Sequence, residues 1–480
     1  MADPASIAVA PQSIAPLRLL AEQAFSRAAG APLIPGNDVR LLKDAEENYP
    51  AWLEAIHGAK KSVDFETYFI RPDKIGYEFA SLLESKARQG LRVRLVYDWF
   101  GARSGLSLRF WRALRKAGVK IKSFNPPRLD DPFDSFRRDH RKTIVVDGCI
   151  GFASGLCVGN HWIGNPARGV DPWRDTGVKI EGPAVADLSR AFNRIWNLLS
   201  PSSTVAENHE EIPAPAGDIS LRIVPSEPSM AGLYRLDLLI AALARKSIWL
   251  TDAYFLGTPS YVQSLRAAAF DGVDVRLLLP RTSDIPIVRA MSRVGYRTLL
   301  EAGVRIFEWN GSMLHAKTGV ADDRWSRVGS TNLNLASWMS NYELDVVVEN
   351  ESFAADMADM YLDDLDHSTE IVLSENSKVR PVERRKRQDR PRGSRRASVG
   401  RAATGVIAMG KAVGAAVATP RLLGPAEAPL MLIVAGVLLA IAALAIFFPS
   451  AISRVVAILC AWIAATLLLK ALRLRFPKKK

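Results

Sequence analysis

The sequence predicts an α/β fold: two pseudo-twofold-related α/β halves that close on one shared cleft, followed by a C-terminal transmembrane helical hairpin. Three observations carry this. The chain repeats itself in order, at offsets between 175 and 185 residues. Each repeat alternates short β-branched runs with helical segments, the pattern of α/β units on a buried sheet. From Ala428 to Ser453 there is no charged residue at all, enough for a helix to cross a bilayer, which takes about 20 apolar residues.

The repeat is read directly. SVDFETYF (62–69) returns as SIWLTDAYF (247–255), and GLRVRLVYD (90–98) as GVDVRLLLP (272–280). AGVKIKSFN (117–125) returns as AGVRIFEWN (302–310), and HRKTIVVD (140–147) as HAKTGVAD (315–322). Between the strand-like runs, EFASLLESKARQG and SYVQSLRAAAFDG have helical spacing. Residues 1–36 are read as an N-terminal segment, 37–200 as the first half, 201–218 as a Pro-containing linker and 219–372 as the second half. Residues 373–427 are read as a basic, largely disordered linker, 428–472 as the hairpin and 473–480 as a basic tail. Within the hairpin, Pro449 and Ser450 suit a turn before the second uncharged run, Val455 to Leu469. One span plus an interfacial helix is the weaker alternative.

Net charge is +13 over 480 residues, but its placement decides its meaning. All of the excess lies from Lys378 onward, flanking the apolar runs, and residues 1–377 are slightly acidic. Basic flanks of this kind mark the cytoplasmic side of a membrane and attract anionic headgroups. An acidic body argues against nucleic acid as a partner, because gripping a phosphate backbone takes a basic groove. The N-terminus lacks the basic start and clean apolar run of a secretory signal. Cys149, Cys157 and Cys460 form no disulfide or metal pattern. The expectation is a body on the cytoplasmic side of the inner membrane, with no metal and no cofactor.

Only six histidines occur, and two occupy one repeated position. The pattern is His140-x-Lys142-x4-Asp147 in the first half and His315-x-Lys317-x4-Asp322 in the second. On a strand, His and Lys two apart share a face, whereas the Asp has opposite parity and stands at a turn. Asp147 and Asp322 are therefore read as structural. A working imidazole needs a carboxylate to fix its tautomer, and that role falls to Asp175 for His140, with Glu343 as the other downstream candidate. Tyr68 and Tyr254 match in the repeat and are read as possible cleft-lining residues.

These residues resemble the phospholipase D superfamily, whose signature is HxKxxxxD followed by Gly-Ser-x-Asn, present twice. More narrowly, FETYFIRPDKIG (65–76), WRDTGVKIEGPAVADLSRAFNRIW (173–196) and MLHAKTGVADDRWSRVGSTNLN (313–334) are similar to bacterial cardiolipin synthases. The resemblance implies a phosphatidyltransferase that joins two phosphatidylglycerol molecules into cardiolipin and glycerol, with phospholipase D hydrolysis as the alternative and a nuclease less favoured. It implies that His140 attacks phosphorus, His315 serves as acid and base, and Lys142 and Lys317 supply charge. It also implies phosphate-binding roles for Ser330, Asn332 and Ser154. One departure stands out: the first half reads Ser154-Gly155-Leu156-Cys157, placing a thiol where the second half has Asn332.

Overall fold

The computed structural model describes residues 14–105, 107–127, 137–200, 211–228, 230–373 and 379–381, with a few isolated positions between 454 and 464. Apart from those isolated positions, the apolar runs expected to form the hairpin, the basic tail and nearly all of the basic linker lie outside the described residues. Among those described, no helix is long and apolar enough to cross a membrane.

The first half contributes β1 (Ile34–Lys43), β2 (Ser62–Thr67), β3 (Arg92–Asp98), β4 (Lys120–Phe124), β5 (Thr143–Val146), β6 (Ile150–Ser154) and β7 (Thr176–Glu181). The second contributes β8 (Ile219–Ser226), β9 (Ser247–Thr251), β10 (Asp274–Pro280), β11 (Arg305–Trp309), β12 (Thr318–Ala321), β13 (Trp325–Gly329) and β14 (Glu343–Glu349). From the centre outwards the first half runs β1-β7-β6-β5-β2-β3-β4, and the second runs β8-β14-β13-β12-β9-β10-β11. The two orders are the same, so the sequence repeat is a structural repeat. Antiparallel pairing of β1 with β8 joins the halves into one mixed sheet.

Helices cover the sheet, and their spacing shows why. In Lys74–Arg88 the residues Ile75, Phe79 and Leu83 recur at four-residue intervals and are buried. Asp73 caps that helix by accepting from Gly76 N–H, and Thr258 caps its counterpart Pro259–Phe270 in the same way. Strand β2 is buried along its whole length, as a strand covered on both faces should be. One apolar core crosses the join: Val145, Val178, Ile180 and Leu188 pack with Ile223, Val320, Val346 and Met357. The halves are thus welded and do not form separable domains.

Two boundaries differ from the sequence reading. The helix Ile14–Ala29 lies in the N-terminal segment, yet Phe25 and Ala29 pack against Leu233, Leu236 and Val347 of the second half. The start of the basic linker is also ordered: Val379–Pro381 pairs antiparallel with Ser368–Leu373 and extends the sheet edge. An exposed edge offers unpaired backbone groups, and these three residues take them up.

Candidate active site

Each His-x-Lys segment lies just ahead of a strand and is drawn across to the other half. His140 N–H donates to Tyr342 O at 2.8 Å, and Tyr342 N–H donates to Arg138 O at 2.8 Å. The mirror contact has His315 N–H donating to Arg174 O at 2.7 Å and Arg174 N–H donating to Met313 O at 2.9 Å. These two bridges bring each histidine beside the carboxylate that follows the bridging residue. His140 Nδ1 lies 2.9 Å from Glu343 Oε2, and His315 Nδ1 lies 2.7 Å from Asp175 Oδ2. The sequence reading gave Asp175 to His140, so this is a correction: the pairs are crossed between halves. The cause is the pair of backbone bridges, which register each motif against the opposite half.

The carboxylates are themselves held. Ser330 Oγ donates to Glu343 Oε2 at 2.6 Å, the oxygen that faces His140. Asp175 Oδ2 accepts from Trp162 Nε1 at 2.9 Å, and its Oδ1 from Thr176 N–H at 2.9 Å. A Cβ on Gly155 would stand 2.1 Å from Asp175 Oδ1, so this glycine leaves the space that the carboxylate fills. Gly155 and Ser330 are equivalent in the repeat: one makes room for a carboxylate and the other bonds to it. The Ser330 hydroxyl, expected from the sequence to bind phosphate, bonds to Glu343. The Ser154 hydroxyl donates to Leu156 O at 3.4 Å. Asn332 is buried, and its side-chain Oδ1 has no partner among the described residues.

Lys142 and Lys317 are buried and each donates to the carbonyl of its own histidine. Lys317 Nζ also lies 3.0 Å from His315 Nδ1. Tyr68 meets the His140 ring edge-on at 5.1 Å, and Tyr254 meets His315 likewise at 5.9 Å. The lysines sit over these same tyrosines, at 5.6 and 5.9 Å. Trp162 and Trp173 add two indoles at 5.7 Å from His315, a wall without a counterpart at His140 among the described residues. Cys157 is buried beside Lys142, each affecting the other's ionisation.

Electrostatics fix the protonation states. Burial pushes His315 down to about 4, with Lys317 adding to the effect and Asp175 opposing it. His140 is lowered as well, by burial first, with Glu343 opposing and both lysines assisting. Burial works against ionised Asp175, but His315, Lys317 and Trp162 outweigh it and hold the carboxyl at about 2. Glu343 is lowered in the same manner, against burial, by His140, Lys142 and Ser330. Burial lowers Lys317 to about 8 and lowers Lys142 too. At neutral pH both imidazoles are uncharged beside ionised carboxylates. Each then donates Nδ1–H to its carboxylate and keeps the Nε2 lone pair available.

The aspartates of the motif lie elsewhere. Asp147, at φ 53°, accepts from the backbone N–H groups of Lys60, Lys61 and Ser62. Asp322, at φ 52°, accepts from those of Arg245, Lys246 and Ser247. Each ties the turn after its motif strand to the entry of the neighbouring strand. Arg141, Arg174, Trp162 and Gly155 were not singled out from the sequence as site residues. The only available signal was the mismatch within the repeat, HRK against HAK and WRD against NYE.

The chain is similar to several known proteins. The family described as "Cardiolipin synthase, PLD-like domain" matches residues 52–196 and 239–364. The cardiolipin synthase of Alkalihalophilus pseudofirmus is 32% identical over 350 residues, 72% of this chain and 69% of that protein. Cardiolipin synthase A of Pseudomonas fluorescens is 31% identical over 369 residues, 75% of each chain. Among solved structures, the phosphatidylserine synthase of Haemophilus influenzae superposes with a TM-score of 0.55 at 14% identity. That match covers 72% of this chain and 91% of the other and is a likeness of fold.

Proposed function

Since the chain belongs to the cardiolipin synthase family with its phospholipase D-like domain, we propose that it is a phosphatidyltransferase joining two phosphatidylglycerol molecules into cardiolipin and glycerol. The observation that carries the reading is the pair of imidazoles whose Nδ1 atoms lie 2.9 and 2.7 Å from buried carboxylates, each with a buried lysine two residues on.

In this reading the Nε2 lone pair of His140 attacks phosphorus of the first phosphatidylglycerol. The bond from phosphorus to the glycerol headgroup breaks, and His315 protonates the departing oxygen. An anionic phosphodiester between the rings favours protonation of an imidazole, which readies His315 for that step. A phosphatidyl group is left on His140. His315, now neutral, takes the proton from a glycerol hydroxyl of the second phosphatidylglycerol. That oxygen attacks phosphorus, the phosphorus–nitrogen bond breaks, and cardiolipin leaves. Lys142 and Lys317 place positive charge where the phosphoryl oxygens gather negative charge, inside a site dry enough for that charge to count.

We place the apolar runs 428–472 in the membrane as a hairpin, with the basic stretches on either side against anionic headgroups. The body would then face the cytoplasmic surface of the inner membrane, where its lipid substrate lies. The test is a product assay with phosphatidylglycerol vesicles and full-length protein, beside His140→Ala and His315→Ala. Cardiolipin and free glycerol from the parent protein and from neither variant are the expected result. Phosphatidate as the main product would replace transfer by hydrolysis, and full activity in both variants would remove the site.

A further inference from the structure

Among the buried arginines outside the roles just described, two from the first half hold the backbones of the paired carboxylates. Arg141, the middle residue of His-x-Lys, is fully buried. Its Nε donates to Glu343 O at 3.0 Å, its Nη1 to Ala191 O at 3.1 Å and its Nη2 to Ser226 O at 3.3 Å. It therefore fastens the backbone of the carboxylate that serves His140 to a first-half helix and to β8 together.

Arg174 does the same for the other pair. Its Nη1 donates to Asp175 O and, at 3.0 Å, to Thr176 Oγ1. Its Nε and Nη2 grip Asp364 of the second-half helix Glu351–Asp366 at 2.8 and 2.9 Å. Asp44 closes the ring by accepting from Arg174 Nη1 at 3.2 Å and from Asp175 N–H at 2.8 Å. In the repeat the counterparts of Arg141 and Arg174 are Ala316 and Tyr342, neither of which can reproduce a guanidinium fork.

We propose that Arg141 and Arg174 are positioning residues: they hold Glu343 and Asp175 by their backbones across the join, and so set the aim of His140 and His315. A buried guanidinium holding several oxygens at once is planar and rigid, which suits fixing a neighbour's place better than a flexible ammonium does. A misplacement of about 1 Å at a group that orients the reacting atoms reduces rate by up to about 100-fold. The inference rests on the histidine pair being the site.

The experiment compares Arg141→Lys, Arg174→Lys and Asp364→Glu with the parent and with His315→Ala, all as full-length protein on phosphatidylglycerol vesicles. Each keeps its charge and loses only fork geometry or anchor length. The expected result is a kcat per folded molecule reduced about tenfold to 100-fold, with KM within about twofold. Nitrogen NMR of the imidazoles should report a changed Nδ1 signal: that of His315 in Arg174→Lys and Asp364→Glu, and that of His140 in Arg141→Lys. Folded variants with parental kcat and unchanged Nδ1 signals overturn the proposal. So does a rate loss that only follows the loss of folded protein in thermal melts, and Asp364→Glu carries the test if Arg174→Lys does not fold. An active His315→Ala would instead overturn the site reading beneath it.

Discussion

The two halves share a strand order but not a way of supporting their histidines. His140 relies on Glu343, which is held by the Ser330 hydroxyl and by Arg141. His315 relies on Asp175, seated in the space left by Gly155 and held by Trp162, Thr176, Arg174 and Asp44. Among the described residues, the His140 ring meets Tyr68, and the His315 ring is boxed by Tyr254, Trp162 and Trp173. Backbone symmetry therefore gives the two histidines equivalent places, while the side chains around them differ, and the proposed division of roles follows that difference. A ring that forms a covalent bond needs access. A ring that passes protons back and forth is better held in a dry box.

The largest test of this contrast removes the crossed carboxylates. Glu343→Ala and Asp175→Ala should each lower kcat on the order of 10⁴-fold, the scale seen when a histidine loses its orienting carboxylate. Paired with His140→Ala, Glu343→Ala should add almost nothing further, because the two act as one unit. If His140→Ala is instead non-additive with Asp175→Ala, the crossing is wrong.

Next come the lysines. Lys142→Ala and Lys317→Ala should each lower kcat on the order of 10²–10³-fold, as loss of a charge-stabilising donor does. Below them, Gly155→Ala should lower kcat by up to about 100-fold by displacing Asp175. Ser330→Ala, at the equivalent position, should cost about tenfold for one hydrogen bond. Equal effects of the last two would mean that the halves support their carboxylates alike.

A pH profile sharpens the contrast further. Lys317, lowered to about 8, is charged below that pH and neutral above it. kcat/KM should therefore fall as pH rises through about 8, by about tenfold per unit. Lys317→Arg should be slower but without that limb, because arginine stays charged. The smallest effect on chemistry is expected of Asp147→Ala and Asp322→Ala. Each should lower stability by about 1–2 kcal/mol through loss of its turn contacts, read by thermal melting, with kcat per folded molecule nearly unchanged.

Much of this was legible in the chain. The repeat showed that the halves are alike, because four matched segments in the same sequence imply the same path through the sheet, although not the order of its strands. Strand parity set Asp147 and Asp322 apart from the histidines. What escaped was whatever depends on how the halves face each other. No spacing within residues 37–200 reveals that His140 will meet Glu343, since a join 200 residues away supplies the partner. Arg141 and Arg174 escaped for a related reason. A charged residue beside a strand reads as surface until the other half covers it.

The crossed pairing also bears on the order of events during synthesis. A ribosome that has made the first half has made His140 and Lys142 but not Glu343, so the proposed nucleophile is still unaimed. It becomes competent only after the second half is complete and docked along β1 and β8. The basic linker and the proposed membrane hairpin come next in the chain. Reactivity toward phospholipid and attachment to the membrane that supplies it would thus arise almost together.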